Sequence, residues 1–323
     1  MLKKISTIIV STIIAGAIIA FLLSRVWEEL LITAKEADPR YLLVALLICL
    51  LAWCLRGARY RYILNRLSVV VGFVFSTACI FVSQTANLII PARLGDLIRL
   101  LILKHEKKTT YTLGFSSVIT ERVFDILTIA LIGAIALPFV VGQEPWFSML
   151  IGFVLLLGFI FFIILIYSGR FSSDNQILAK VIEILSQIRC VSQTPRALIY
   201  LILSSVIIWI IDCIVCMMVA MMFGEPVSFM VVVLAIVIGN LVKAVPITPG
   251  GIGTYELALA LTFELAGVSA GTAVLIAIID HLIKNLVTLV GGAVSIYYFG
   301  DWTVSLLKRA FSGDIKKEIY DRN

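Results

Sequence analysis

Along this chain, apolar residues run in long continuous blocks rather than at the spacings of half-buried strands and helices. Ten blocks stand out, at roughly 5–24, 41–55, 68–90, 94–103, 113–141, 146–168, 197–223, 227–247, 254–266 and 270–299. Most approach the length of about 20 residues that carries a helix across a bilayer. The blocks 94–103 and 254–266 do not: at about 1.5 Å per residue they cover only about 15 to 20 Å of a hydrocarbon core about 30 Å thick. They are expected to be half-helices or buried pieces. Proline follows a polar residue in Asp38-Pro39, Glu144-Pro145, Thr194-Pro195 and Glu225-Pro226, each at a place where a first helical turn tolerates it. The pattern predicts an all-α polytopic membrane protein.

The composition agrees and adds exclusions. With 323 residues, 61% hydrophobic, 14% charged and a mean hydropathy of +1.09, the chain lacks the charge of a soluble domain, about one residue in four. The stretches at about 169–196 and from 301 onward are too short for a folded catalytic domain. In such a chain a formal charge of +6 and a pI near 9.0 report topology and contact with anionic lipid, so no nucleic-acid partner is expected. Cys49, Cys54, Cys79, Cys213 and Cys216 lie in apolar blocks and Cys190 in a polar stretch, which gives no disulfide framework. Cys213 and Cys216 share a helix face, but lack a second ligand pair and read as core. Met1-Leu2-Lys3-Lys4 followed by Ile5 to Leu23 imitates a signal peptide; the run outlasts an h-region of about 15 residues and is expected to stay as a first span.

Basic residues set sidedness. Lys3, Lys4, Arg56, Arg59, Arg61, Arg66, Lys104, Lys107, Lys108, Arg170, Lys180, Arg189, Arg196, Lys308, Arg309, Lys316, Lys317 and Arg322 fall in one set of loops. Arg25, Lys35 and Arg40 fall in the alternate set. Eighteen against three places both termini in the cytoplasm of a multi-pass cell (plasma) membrane protein. Parity then fails unless segment 68–103 begins and ends on the cytoplasmic side and segment 227–267 begins and ends outside. Two re-entrant hairpins from opposite faces restore it, turning near Ile90-Pro91-Ala92-Arg93-Leu94-Gly95 and near Val245-Pro246-Ile247-Thr248-Pro249-Gly250-Gly251-Ile252-Gly253. The expected arrangement is about six full spans plus two hairpins in one transmembrane domain over 1–300, with a cytoplasmic tail at 301–323.

The two turns resemble each other. Pro91 precedes Gly95 by four residues and Pro249 precedes Gly253 by four. Asn87-Leu88 and Asn240-Leu241 sit shortly before them. Glu121-Arg122-Val123-Phe124-Asp125 starts 26 residues after Gly95, and Asp280-His281-Leu282-Ile283-Lys284-Asn285 starts 27 after Gly253. Glu121/Asp125 and Asp280/Lys284 are i,i+4 pairs, so each cluster shares a helix face. This correspondence points to an inverted repeat.

Charges within or beside apolar segments, Arg93, Arg99, Arg122, Lys243 and Lys284 against Asp96, Glu121, Asp125, Asp212, Glu256, Glu264 and Asp280, must gather around a polar interior. Interhelical salt bridges and snorkelling account for Arg99, Glu264 and Arg122. For Arg93, Asp96, Lys243, Glu256, Asp280 and Lys284 a ligand cavity and a structural role are both open, as they are for Asp212. Non-helical backbone at membrane depth must be buried in protein or line water, so Pro249-Gly250-Gly251-Ile252-Gly253 implies a cavity. Its glycines permit φ > 0, and helix N-termini at Gly95 and Gly253 are expected to aim free N–H groups at a phosphate. Arg93 and Lys243 are the expected counter-charges. Asp96 and Glu256 also suit the helix dipoles. There is no G-x-x-x-x-G-K-[ST] loop and no ordered His/Cys metal set, and neither cofactor nor metal is expected. Of the two histidines, His281 beside Asp280 is the candidate general base.

Ile90-Pro91-Ala92-Arg93-Leu94-Gly95-Asp96-Leu97-Ile98-Arg99, Glu121-Arg122-Val123-Phe124-Asp125 and Pro249-Gly250-Gly251-Ile252-Gly253-Thr254-Tyr255-Glu256, in this order, resemble the flippase-like integral membrane family. That family forms the lipid-translocating transmembrane region of bacterial lysylphosphatidylglycerol synthases and includes stand-alone bacterial and archaeal members. The resemblance runs from about Tyr41 to Phe299. It implies movement of lipids with charged head groups, or of polyprenyl-linked sugars, between leaflets, with two re-entrant helix pairs at the centre. Neither the aminoacyl-transferase domain that follows the membrane region in the synthases nor the glycosyltransferase domain that precedes it in some archaeal relatives is expected here. The resulting expectation is a lipid transporter, not an enzyme. Arg93, Gly95, Asp96, Lys243, Pro249, Gly250, Gly251, Gly253, Glu256, Asp280 and Lys284 would bind substrate, supported by Glu121, Arg122, Asp125 and Asp212. Its partners would be anionic or polyprenyl-linked membrane lipids, with a second copy or a lipid-modifying enzyme beside it. An intramembrane enzyme using Asp280/His281 or Glu121/Asp125, and a scaffold for lipid or glycan assembly, are the competing readings.

Overall fold

A computed structural model describes residues 2–35, 37–90, 93–140, 145–245 and 247–312. Among these residues there are twelve helices and no strand. In chain order, α1 (Leu2–Lys35) and α2 (Arg40–Arg66) are followed by the short pair α3 (Phe73–Ile89) and α4 (Gly95–Lys107). Then come α5 (Tyr111–Ala136), α6 (Pro145–Tyr167), α7 (Gln176–Ser192) and α8 (Pro195–Met222). A second short pair, α9 (Phe229–Ala244) and α10 (Thr254–Leu265), precedes α11 (Ala270–Phe299) and α12 (Asp301–Ser312). Six of them, α1, α2, α5, α6, α8 and α11, are long and apolar enough to cross a membrane. The starts are chemically marked. Side-chain oxygens of Thr110, Asn175, Thr194, Ser228 and Ser269 accept first-turn N–H groups of α5, α7, α8, α9 and α11, and Pro195 sits at the first position of α8.

The halves are related by inversion. The Asp38 N–H donates to the Met222 carbonyl (2.9 Å), Arg56 reaches Asp212, Arg59 reaches Ser205, and Arg66 donates to the Cys190 carbonyl (3.1 Å). Rising numbers on α2 meet falling numbers on α8, so these two helices run antiparallel. Exchanging α2 with α8, α3 with α9, α4 with α10 and α5 with α11 maps the packing onto itself. The α2–α3 packing answers α8–α9, α4–α5 answers α10–α11, and α3–α11 answers α9–α5. Each hairpin therefore leans its first helix on the long span of the opposite half.

Burial follows this plan. In α9 the residues from Val231 to Gly239 are all buried, because the helix is enclosed on every side. By contrast α6 presents Met149, Phe153 and Phe159 outward, as a lipid-facing span does. The hairpin tips touch: a Cβ on Gly250 would press on the Leu88 side chain. Gly250, Gly251 and Gly253 have φ of 62°, 80° and 85°, the left-handed backbone that the glycine-rich turn was expected to need. Gly95 serves differently. A Cβ there would collide with the Ser83 carbonyl and the Asn87 backbone nitrogen, so glycine lets α4 start against α3. Pro91 and Ala92 of the first turn and Pro246 of the second lie outside the described residues, as do residues 313–323 of the expected tail.

Several expectations need correction. The block ending at 55 continues as helix to Arg66, which puts Arg56 and Arg59 inside the bundle rather than in a loop. They leave the topological count, whose sign is unchanged. Arg25 and Lys35 are helical too, on an α1 that bends at Val26, and Arg25 lies 3.6 Å from Glu264. Residues 301–312, taken as tail, form α12 and pack on α4 and α11. The 169–196 stretch, expected to be too short for a folded catalytic domain, holds the helix α7, hydrogen-bonded through Glu183 to Thr112 of α5 (2.7 Å). In a background without the native cysteines, Thr109→Cys and Ser269→Cys should label with an impermeant maleimide from opposite membrane faces; labelling from one face would discard the inverted arrangement.

Candidate functional site

Between the hairpin tips and the spans α2, α5, α8 and α11 lies a cavity of about 150 Å³, far above the 10–15 Å³ or so that one water requires. Its wall is charged at membrane depth. Arg56, Arg93, Arg122, Lys243 and Lys284 face Glu121, Asp125 and Asp212 across it. Pairing decides what each of these can do.

Arg56 Nη2 donates to Asp212 Oδ2 at 2.6 Å, joining α2 to α8. Arg59, 1% exposed, grips Asp125 of α5 with both terminal nitrogens (2.5 and 2.9 Å) and Ser205 of α8 at 2.7 Å. Arg99 of α4, 0% exposed, donates to Glu121 of α5 at 2.9 Å and lies over the Tyr60 ring at 4.6 Å. Arg122 reaches Asp96 Oδ1 at 3.3 Å, where Asn87 (3.0 Å) and Ser83 (3.2 Å) also donate. In the second half, Lys284 Nζ lies 2.8 Å from Asp280 Oδ1, and the Tyr255 hydroxyl donates to Asp280 Oδ2 at 2.7 Å. Glu256 Oε1 pairs with His281 Nδ1 at 2.7 Å, while its Oε2 accepts the Gly253 N–H at 2.7 Å. The halves repeat this logic. Acids and donors on α4 and α10 meet the clusters 121–125 and 280–284 on α5 and α11.

After this pairing, two cavity cations have no carboxylate within 4 Å among the described residues: Arg93 and Lys243. Lys243 Nζ contacts a ring nitrogen, His281 Nε2, at 2.9 Å. Arg93 sits at the first tip with φ of 53°, a left-handed backbone that costs a non-glycine residue about 1–2 kcal/mol. The two charges repel each other across the tips. Both cations line the same cavity.

Of the residues singled out from the sequence, Arg93, Lys243, Gly250, Gly251 and Lys284 line the cavity, with Glu121, Arg122, Asp125 and Asp212. Gly95, Asp96, Pro249, Gly253, Glu256 and Asp280 do not. Asp96, Glu256 and Asp280 stand behind the wall and hold Arg122, His281 and Lys284. The expected free N–H at Gly253 is a correction: Glu256 in the first turn of α10 has taken it, as half of a capping box. Gly95 is packed into α3 and does not line the cavity. Sequence reasoning missed Trp53, Arg56 and Trp209 and the amides Gln84, Asn87, Asn240 and Asn285 on the cavity wall. A signal existed. Trp53/Arg56 and Trp209/Asp212 are each i,i+3 pairs, so on the helices that pair across the two-fold each tryptophan shares a face with an ionised residue.

Fold and site together define a polytopic membrane protein with two opposed helical hairpins around a charged cavity. The chain belongs to the family described as the lysylphosphatidylglycerol synthase transmembrane region, whose model matches residues 8–292. Among similar proteins, "Glycosyltransferase AglD" of Haloferax volcanii is 32% identical over 87% of this chain. This chain spans 53% of that protein, about half its length. A "UPF0104 membrane protein" of Methanothermobacter thermautotrophicus is 23% identical, covering 82% of this chain and 87% of its own length. "UPF0104 membrane protein MJ1078" of Methanocaldococcus jannaschii is 26% identical over 65% of this chain and 92% of its own. These relatives match the family expected from the sequence. The expectation that the chain is not an enzyme is overturned by the likeness to a protein named as a glycosyltransferase.

The buried Arg59–Asp125 pair should dominate stability in this half. Asp125→Ala strands a buried guanidinium and should cost about 3–5 kcal/mol, while Arg59→Met with Asp125→Leu should recover most of it. Thermal unfolding in detergent, read by monodisperse fraction, checks both.

Proposed function

We propose that the chain carries the phosphate-bearing head group of a membrane lipid, anionic or polyprenyl-linked, between leaflets through the cavity at the hairpin tips. The observation that carries this reading is the pair of cavity cations left without carboxylates, Arg93 and Lys243. Arg93 would grip phosphate oxygens in a fork and Lys243 would supply a mobile point charge. The backbone of Gly250 and Gly251, bare of side chains, would let the head group approach the second tip. Tryptophans and amides on the wall suit a polar head group larger than phosphate, and membership of the family supports a lipid as the guest. Asp96, Glu256 and Asp280 would act from behind, by fixing Arg122, His281 and Lys284. The excess of Lys and Arg in one set of loops supports cytoplasmic termini in the cell membrane.

A second reading is favoured by one finding, the relative named as a glycosyltransferase: chemistry on a lipid-linked sugar held in the same cavity. Glu121, Asp125 and Asp280 are engaged by Arg99, Arg59 and Lys284, which leaves the Glu256–His281–Lys243 chain as the acid–base candidate on this reading. Product formed in detergent, where no second leaflet exists, would favour it over transport.

For transport, protein in liposomes should accelerate transbilayer movement of labelled phosphatidylglycerol or of a short polyprenyl phosphosugar above the protein-free rate. Arg93→Ala should slow it at least about tenfold, the worth of one charge-assisted hydrogen bond. If neither lipid moves faster than in empty liposomes, the translocation reading fails.

A further inference from the structure

Behind the cavity wall, Glu256, His281 and Lys243 form a continuous hydrogen-bonded chain across three helices. Glu256 of α10 meets Nδ1 of His281 on α11 at 2.7 Å, and Nε2 of the same ring meets Lys243 Nζ of α9 at 2.9 Å. His281 is 1% exposed, and Lys243 is the member that reaches the cavity. With Lys243 as an ammonium, the donor and acceptor roles along the chain follow. An ammonium offers donors only, so Nε2 must accept from Lys243 and Nδ1–H must donate to an ionised Glu256, whose second oxygen already accepts the Gly253 N–H. The ring is then neutral and every partner is satisfied.

One more proton breaks this arrangement at a single bond. Lys243 passes a proton along its hydrogen bond to Nε2 and is reprotonated by a proton taken up from bulk solvent by way of the cavity. An imidazolium and an ammonium now face each other, both donors, and cannot share a hydrogen bond. Glu256 holds the imidazolium through Nδ1–H, so Lys243 is the group that leaves, and its way out is the cavity. We propose that Glu256–His281–Lys243 is a proton-loading site, in which uptake of one proton on His281 frees Lys243 to hold an anion, making anion occupancy and proton uptake mutually dependent. This rests on the reading of the cavity as an anion site.

The surroundings leave His281 as the loading group. On α10, Tyr255 packs tilted against the ring, centroids 4.6 Å apart, and donates its hydroxyl to Asp280. On α11, Asp280 and Lys284 hold each other; between α2 and α8, Arg56 and Asp212 do. The thiols of Cys49 on α2 and of Cys213 and Cys216 on α8 are buried, and Arg25 of α1 is beside Glu264. On α5, facing α9, Glu121, Arg122 and Asp125 are paired. Arg93 at the first tip is a like charge on the same cavity wall as Lys243, and an anion between them would screen that repulsion.

Anion binding to the full chain in detergent, measured by titration calorimetry in buffers of different ionisation heat, tests this. The probe is dihexanoylphosphatidylglycerol, whose phosphodiester keeps one charge throughout. Binding should take up about one proton near neutral pH, and affinity should rise, by up to about tenfold per unit, as pH falls between about 8 and 5. In His281→Gln the proton uptake should vanish. Binding by the wild type with no proton uptake and a constant affinity overturns the loading site while leaving the anion site standing. Proton uptake that persists in His281→Gln also overturns it. Failure of the wild type to bind the probe at any pH takes down the anion site and the loading site together.

Discussion

Ionised groups placed in hydrocarbon must find partners, and that constraint organises this protein. Each intramembrane Arg, Lys, Asp or Glu would cost at least about 2.5–3.5 kcal/mol if it faced lipid at mid-bilayer. The described residues meet it by pairing between helices: Arg56 with Asp212, Arg59 with Asp125, Arg99 with Glu121, Arg122 with Asp96, and His281 with Glu256. Those pairs tie α2 to α8 and α5, and tie each second hairpin helix to the long span after it. The same pairs that hold the bundle together leave Arg93 and Lys243 without a carboxylate among the described residues, and both line the cavity between the tips.

Inversion explains why that space exists. A helix of 17 residues such as α3, or of 16 such as α9, covers about 25 Å and cannot both cross the core and return. Two such hairpins entering from opposite faces meet at their tips, where a Cβ on Gly250 would press on Leu88 and where non-helical backbone is allowed only against water or protein. Each half therefore brings to the same place a cation with no carboxylate partner among the described residues, Arg93 from the first tip and Lys243 from the end of α9.

Much of this was legible in the sequence. Apolar block lengths marked two pieces too short to cross, and the loop charges then required two hairpins and six full spans. The glycines at 250, 251 and 253 announced their positive φ. The limits have physical causes. Arg56, Arg59 and the end of α2 read as a cytoplasmic loop because a run of cations closes an apolar block, and a linear pattern cannot distinguish a snorkelling arginine from one paired to Asp125 on a helix 66 residues away. Gly253 looked like a free donor because the competing acceptor, Glu256, is visible as a cap only once the turn is folded. Trp53 and Trp209 passed as ordinary apolar residues because their position on the cavity is set by α2 packing against α8. The expectation of a non-enzyme rested on absent motifs and on the resemblance to a lipid-translocating family, and the likeness to a named glycosyltransferase corrected it.

The central claim is that Arg93 and Lys243 together hold a lipid phosphate. Native mass spectrometry of protein extracted in mild detergent reads this directly. The wild type should retain a phosphate-bearing lipid, and a well-folded Arg93→Gln, Lys243→Gln double variant should lose it. Equal retention by both proteins would contradict the account.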